Sequence, residues 1–170
     1  MEMTDNKDEI IGVARNVLEK LLDLMGIPAS VAPLSEFLEE GGAENADFIA
    51  LNVEGEDLGI LIGRRGQTLA CLQYLVRLIV GHQTEAWLPI VIDVEGYKQR
   101  RYNALKDLAW RVAEQVTTGG RQFALEPMSA FDRRIIHLTL RDHPDVTTQS
   151  SGEGEARRVV ILPREQLSSD

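Results

Sequence analysis

The chain is short of the residues that most protein chemistry relies on. Cys71 is the sole cysteine among 170 residues, so no internal disulfide can form and no thiolate cluster can hold a metal. It falls within an apolar helical pattern and is expected to pack as a small hydrophobe. A reducing cytoplasm suits such a chain. The three histidines, His82, His137 and His143, lack the cysteine or carboxylate spacing of a metal site. Aromatics make up 5% of the chain, which disfavours recognition by a sheet of stacking rings but not by a groove floored with aliphatic side chains. No apolar run approaches the roughly 20 residues of a membrane helix, so no membrane insertion is expected. The first residues, Met1-Glu2-Met3-Thr4-Asp5, are acidic and polar, unlike a targeting leader. Neither a Gly-x-Ser-x-Gly elbow nor the Lys-Ser/Thr of a nucleotide phosphate loop is present. No catalytic, cofactor or metal set emerges, and the expectation is a protein that is not an enzyme.

What is present is a core and an uneven charge. Hydrophobic residues make up 44% of the chain, enough for one large or two small domains. The net charge is −9, which at first argues against a polyanionic partner. Its distribution argues otherwise. Residues 1–60 hold 14 acidic and 3 basic side chains, and residues 61–170 hold 13 acidic and 15 basic. The basic groups begin at one point in the chain, which is the signature of a local electropositive face.

Apolar spacing predicts an amphipathic helix over 8–25, with Ile10, Ala14, Val17, Leu18, Leu21 and Met25 inward and Gly26 and Pro28 as the stop. The segment 29–38 is ambiguous, since Pro33 allows an edge strand but not a central one. After an acidic, glycine-bearing loop at 39–45, residues 47–53 read as a strand. A short helix follows at 58–62 with Asp57 as its cap. A longer helix after Gly66 would bury Leu69, Leu72, Leu75, Val76, Ile79 and Val80 and end at Gly81. Residues 88–94 read as a strand. A second unit opens with a helix over 97–116, in which Leu105, Leu108, Ala109, Val112 and Val116 face inward. A short strand at 121–125 precedes Ser129-Ala130-Phe131-Asp132, a variant capping box that opens a helix to about His143, stopped by Pro144. Residues 146–150 and 157–162 form a hairpin.

Two constellations could bind an anionic strand. The first is Ile62-Gly63-Arg64-Arg65-Gly66, a Gly-x-x-Gly turn between two apolar helices. Glycine lets another backbone approach closely, the N–H groups opening the next helix point at any anion, and Arg64 and Arg65 add charge. Ile49, Ile60 and Ile62 would floor the groove. A bare Gly-x-x-Gly is more often a tight helix connection, but two arginines inside such a turn add nothing to a core. The second is Arg133-Arg134-Ile135-Ile136-His137. Arg133, His137 and Arg141 recur every four residues and share a helix face, with Arg134 beside it. Guanidinium and imidazole groups bind phosphate and stack on bases. The plainer reading is a solvated, charged face. Arg157 and Arg158 are candidates to widen the patch.

The string Leu61-Ile62-Gly63-Arg64-Arg65-Gly66-Gln67-Thr68-Leu69, with helices on either side, resembles a KH domain of the bacterial, type II arrangement. Phe131-Asp132-Arg133-Arg134-Ile135-Ile136-His137 resembles the R-3-H domain, named for an arginine and a histidine with three residues between them. The two in succession resemble the Jag family, also called KhpB or EloR. The resemblance implies an α+β fold: a KH domain with a three-stranded sheet and helices on one face, then a small α+β R-3-H domain. With the pattern along the chain it implies an N-terminal helix at 1–27 that leads into KH or is part of it, KH at 28–95, R-3-H at 96–163 and a tail at 164–170. It further implies single-stranded RNA as ligand, with single-stranded DNA as the variant, and a cytoplasmic role in cell elongation and division. A small single-KH protein of the KhpA type is the implied partner, and self-association is open. The contacts would fall to Gly63, Arg64, Arg65 and Gly66 in the first domain and to Arg133 and His137 in the second. Two rivals stand beside this reading. One is a protein-interaction adaptor that uses the acidic N-terminal half and a KH dimerisation surface. The other is a phosphate-handling enzyme on the Arg-xxx-His face, which has no general base or metal set to support it.

Overall fold

A computed structural model describes residues 2–34 and 48–164, with side chains from residue 7. The acidic loop at 39–45, the end of the ambiguous 29–38 segment and the tail from 165 lie outside the described residues. The chain divides into two compact units, residues 1–98 and 99–170.

The first unit begins with helix α1, Glu2–Leu24. Ile10, Ala14, Leu18 and Leu22 recur every four residues and are all buried, which makes them the seam that enters the core. Met25, expected inward, is exposed because the helix has already ended. Gly26 N–H donates to Asp23 O and Ile27 N–H to Leu22 O, a glycine-type C-terminal lock that satisfies the last carbonyls. Strand β1, Ala29–Pro33, follows at the sheet edge, where a proline costs no ladder bond. Strand β2, Ile49–Gly55, is central. It pairs antiparallel with β1 and parallel with β3, Ile90–Val94. The parallel step requires a crossover, and helix α2 (Gly59–Ile62), a tight 3₁₀ turn (Arg64–Gly66) and helix α3 (Gln67–Thr84) supply it. Ile49, Leu51, Val53, Ile90, Ile92 and Val94 alternate onto one core with α1 and α3. Fully burying each such side chain stabilises by about 1.5–3 kcal/mol.

Several expectations within this unit are corrected. Asp57 does not cap α2: its φ is +54°, and Leu58 occupies the cap without a side-chain bond. Leu75 is half-exposed, since the buried seam of α3 is Leu69, Leu72, Val76 and Val80, and Leu75 sits about 100° around the helix from Val76. Gly81 does not end α3. It makes room for Trp87, whose Cε3 would lie 2.8 Å from a Cβ at that position. Cys71 is exposed rather than packed.

The second unit opens with helix α4, Tyr97–Gly119, whose buried seam is Leu105, Ala109, Val112, Ala113 and Val116. Strands β4 (Phe123–Ala124), β5 (Val146–Ser151) and β6 (Arg158–Pro163) form an antiparallel sheet in the order β4-β6-β5. Helix α5, Ala130–Thr139, packs on β5 and β6. Half of the expected capping box forms: the Ser129 hydroxyl accepts from Asp132 N–H at 3.1 Å. The helix stops four residues before His143, because Arg141 N–H and His143 N–H turn back to Leu138 O and Leu140 O in three-residue loops. Pro144 is therefore not the stop.

Candidate nucleic-acid interface

The Gly-x-x-Gly turn is built from left-handed backbone. Gly63 (φ +68°, ψ −172°) lies in a region that glycine alone occupies freely, and Arg65 (φ +55°) and Gly66 (φ +80°) follow in the αL region. Gly63 N–H closes α2 by donating to Gly59 O at 2.9 Å. Gly66 then opens α3, and no side chain caps that helix. Gln67 N–H is taken by Arg64 O within the turn, and the amides that follow it in the first turn of this 18-residue helix are left without a side-chain cap, with the positive end of the dipole behind them.

The reason for the glycines differs from the expectation. The space a Cβ would occupy is filled from within the unit. At Gly63 it would overlap the Thr68 hydroxyl, and at Gly66 it would lie 3.1 Å from Tyr97 Cε1 and Oη. The pair is required by the turn's own packing, and what the turn offers outward is charge. Arg64 is exposed and makes no ion pair with the described residues, while Arg65 is half-buried. Of the expected aliphatic floor, Ile60 is 70% exposed and Ile62 half-buried, but Ile49 is a core residue of β2 and is withdrawn.

The second constellation is more constrained than its sequence suggests. Arg133 and His137 sit one turn apart on α5, and Arg134 beside them is exposed. Arg133 Nη1 donates to Met128 O at 3.0 Å, which ties the guanidinium to the segment before the helix. His137 Nδ1 lies 2.6 Å from Thr148 Oγ1 and its Nε2 2.8 Å from Ser150 Oγ. Both ring nitrogens are therefore engaged by β5, and only the imidazole face remains for a ligand. Arg141 does not join the stripe: α5 ends at Thr139, and Arg141 lies in the following turn, exposed. Arg158, expected to widen the patch, turns its Nε to Ala156 O at 3.3 Å.

Beneath this face lies an ion pair that the sequence does not announce. Arg101 Nη2 of α4 meets Asp132 Oδ2 at 2.8 Å, and Asp132 is 5% exposed. The hydroxyl partners of His137 were more accessible to inference. Val146, Thr148 and Ser150 alternate on β5, opposite Pro163, Ile161 and Val159, so the two hydroxyls share the covered face.

Burial pushes the His137 pKa below its usual value of 6.5, and the Arg133 charge adds to the shift. The imidazole is neutral at pH 7, so one ring nitrogen donates and the other accepts. The linkage has a definite sign. The unfolded chain takes up this proton near pH 6.5 and the folded chain only at lower pH, so folding weakens as pH falls below 6.5 and levels off beneath the folded value. Urea midpoints at pH 7.5 and 5.5 are expected to differ more for the wild type than for His137→Gln. Equal differences would remove His137 as a source of the slope.

Among the described residues no helix is long and apolar enough to cross a membrane. No three or more His, Cys, Asp or Glu side chains among them come together as metal ligands.

Comparison with known proteins fits this geometry. Residues 15–91 match the KhpA/KhpB KH domain and residues 103–163 the R-3-H domain. The RNA-binding protein KhpB of Clostridium symbiosum is 38% identical over 160 residues, which are 94% of this chain and 69% of that protein. The chain belongs to the KhpB family. KhpB of Bacillus subtilis (strain 168) is 36% identical over 120 residues, and KhpB of Lactiplantibacillus plantarum 37% over 117, each over 69% of this chain. This KhpB family member spans 58% and 36% of those two relatives. The α+β fold expected from the paired motifs is the fold observed.

Proposed function

We propose that this chain is a non-enzymatic binder of single-stranded RNA and acts in the cytoplasm as a post-transcriptional regulator linked to cell elongation and division. The observation that carries the reading is the start of α3, which no side chain caps, set behind a left-handed turn with Arg64 exposed. Oriented amides and a guanidinium at one spot suit a sugar-phosphate chain. Ile62, Gly63, Arg64, Arg65 and Gly66 form the first contact, with Ile60 beside them for a base. Arg133 and Arg134 contact a further stretch of the strand, and the face of His137 is open to stacking. Arg141 stands apart from that stripe and contributes charge alone. Two modules in one chain without a long linker raise each other's effective concentration, so weak sites add up.

The test is salt dependence. With about four phosphates neutralised, the logarithm of affinity should fall with the logarithm of salt at a slope near −3. Arg64→Ala should weaken binding and flatten the slope by about 0.7, the share of one single-strand contact. Arg64→Glu should weaken it further. Unchanged affinity in a folded variant, read by fluorescence anisotropy, would remove the turn from the interface.

Exposed Tyr74 and Leu75 on α3 favour a protein partner alongside RNA. We take that partner to be a single-KH protein of the KhpA type, which the family resemblance suggests. Light scattering on the chain alone and mixed with such a protein separates this from self-association.

A further inference from the structure

The second unit carries a cleft that neither binding motif uses. It is a shallow depression, open along much of its rim, with a volume of about 520 Å³. Trp110, Arg111, Glu114 and Thr117 of α4 line one side, and His143 and Asp145 of the turn before β5 the other. We propose that this cleft is a nucleobase site that holds a guanine of the bound strand. The proposal deepens the RNA-binding reading and rests on it.

Three observations carry it. Trp110 is 51% exposed, a large apolar ring left in water. The ring is positioned all the same: the His143 imidazole lies 5.4 Å away at a 46° tilt, and His143 is fixed because its Nδ1 accepts the Asp145 N–H at 3.2 Å. One built aromatic face is thus open for stacking. Third, Glu114 lies one turn beyond Trp110 on the same helix face, and Asp145 stands across the cleft. Neither carboxylate is paired with a described residue.

Charge then selects the ligand. Two carboxylates against the single guanidinium of Arg111 repel a phosphate, so the cleft suits a base rather than the backbone. Carboxylates only accept hydrogen bonds. Guanine presents N1–H and the N2 amino group side by side, and one carboxylate accepts both. Adenine and cytosine each set one amino group beside an acceptor nitrogen. Uracil sets one N–H between two carbonyl oxygens, which the carboxylates repel. Arg111 supplies the donor for guanine O6.

The test uses short labelled oligouridine strands with and without guanines, read by anisotropy, and a Trp87→Phe background that leaves Trp110 as the lone tryptophan. Guanine-containing strands should bind about tenfold tighter and quench Trp110 emission, and Trp110→Ala should remove that advantage. Glu114→Gln should abolish the preference for guanine without weakening oligouridine binding, which a merely structural role would not do. Equal affinity for both strands, or a folded Trp110→Ala that keeps the preference, overturns the proposal. If Arg64→Ala weakens both strands while Trp110→Ala weakens neither, only the cleft falls. If neither strand binds the wild type, the RNA reading falls and the cleft with it. Quenching by free guanosine monophosphate equal to that by the strand would make this a nucleotide pocket and overturn its role on RNA.

Discussion

Gly63→Ala is expected to destabilise the chain by about 3 kcal/mol or more, a large effect for one added methyl group. Two separate costs combine. The backbone at φ +68° and ψ −172° strains any residue with a Cβ by about 1–3 kcal/mol. The new carbon also overlaps the Thr68 hydroxyl and lies 2.7 Å from Thr68 Cβ. Thr68 belongs to the first turn of α3 and cannot retreat without moving that helix. Adding Thr68→Ala should return only the share due to the hydroxyl, because residue 68 keeps its Cβ at 2.7 Å and its N at 3.0 Å, so the double variant is expected between Gly63→Ala and wild type and closer to Gly63→Ala. Urea unfolding of all three reads both costs. Wild-type stability in Gly63→Ala would mean that the turn does not hold this backbone, and the placement of Arg64 would go with it.

The turn also marks how far the sequence can be read. The helices on either side of the Gly-x-x-Gly turn and the strands at 47–53 and 88–94 follow from apolar spacing, because a strong period of 3.6 or 2 marks an element locally, whereas the order of strands within each sheet comes from the fold. The role of each glycine did not follow. Whether a missing Cβ faces a ligand or the protein's own side chain depends on Thr68 and Tyr97, and chain spacing does not say where those point. The same holds for α5. Its start was legible in Ser129, a local capping signal. Its end was not, because Leu140 and the turn after it close by backbone bonds that any residue type can make. Arg141 was placed on the stripe by counting in fours past a boundary the count could not detect. His137 was legible as a helix-face residue, but its partners Thr148 and Ser150 come from a strand that reaches it only in the folded unit. Contacts within one element are readable in advance, and contacts between elements need the fold.

That distinction bears on how α5 presents its arginines. Asp132→Ala is expected to cost about 2–3 kcal/mol, below the roughly 3–5 kcal/mol for breaking a fully buried pair, because the Arg101 side chain keeps 26% of its exposure. The Ser129 cap is spared, since it bonds the backbone of residue 132 and not its carboxylate. What is lost is the partner of Arg101, whose Nε is already buried without a hydrogen bond among the described residues. The variant therefore leaves a second guanidinium nitrogen unsatisfied. Replacing both partners by apolar residues, Arg101→Met with Asp132→Leu, should recover most of the loss, because the cost lies in the stranded charge rather than in the absent pair. RNA affinity separates structure from contact. Asp132→Ala should weaken single-strand binding while Arg133 and Arg134 remain, because α5 is no longer tied to α4. The apolar pair should restore it. If affinity is unchanged while stability drops, the arginines of α5 do not depend on that tether, and the strand binds elsewhere on the unit.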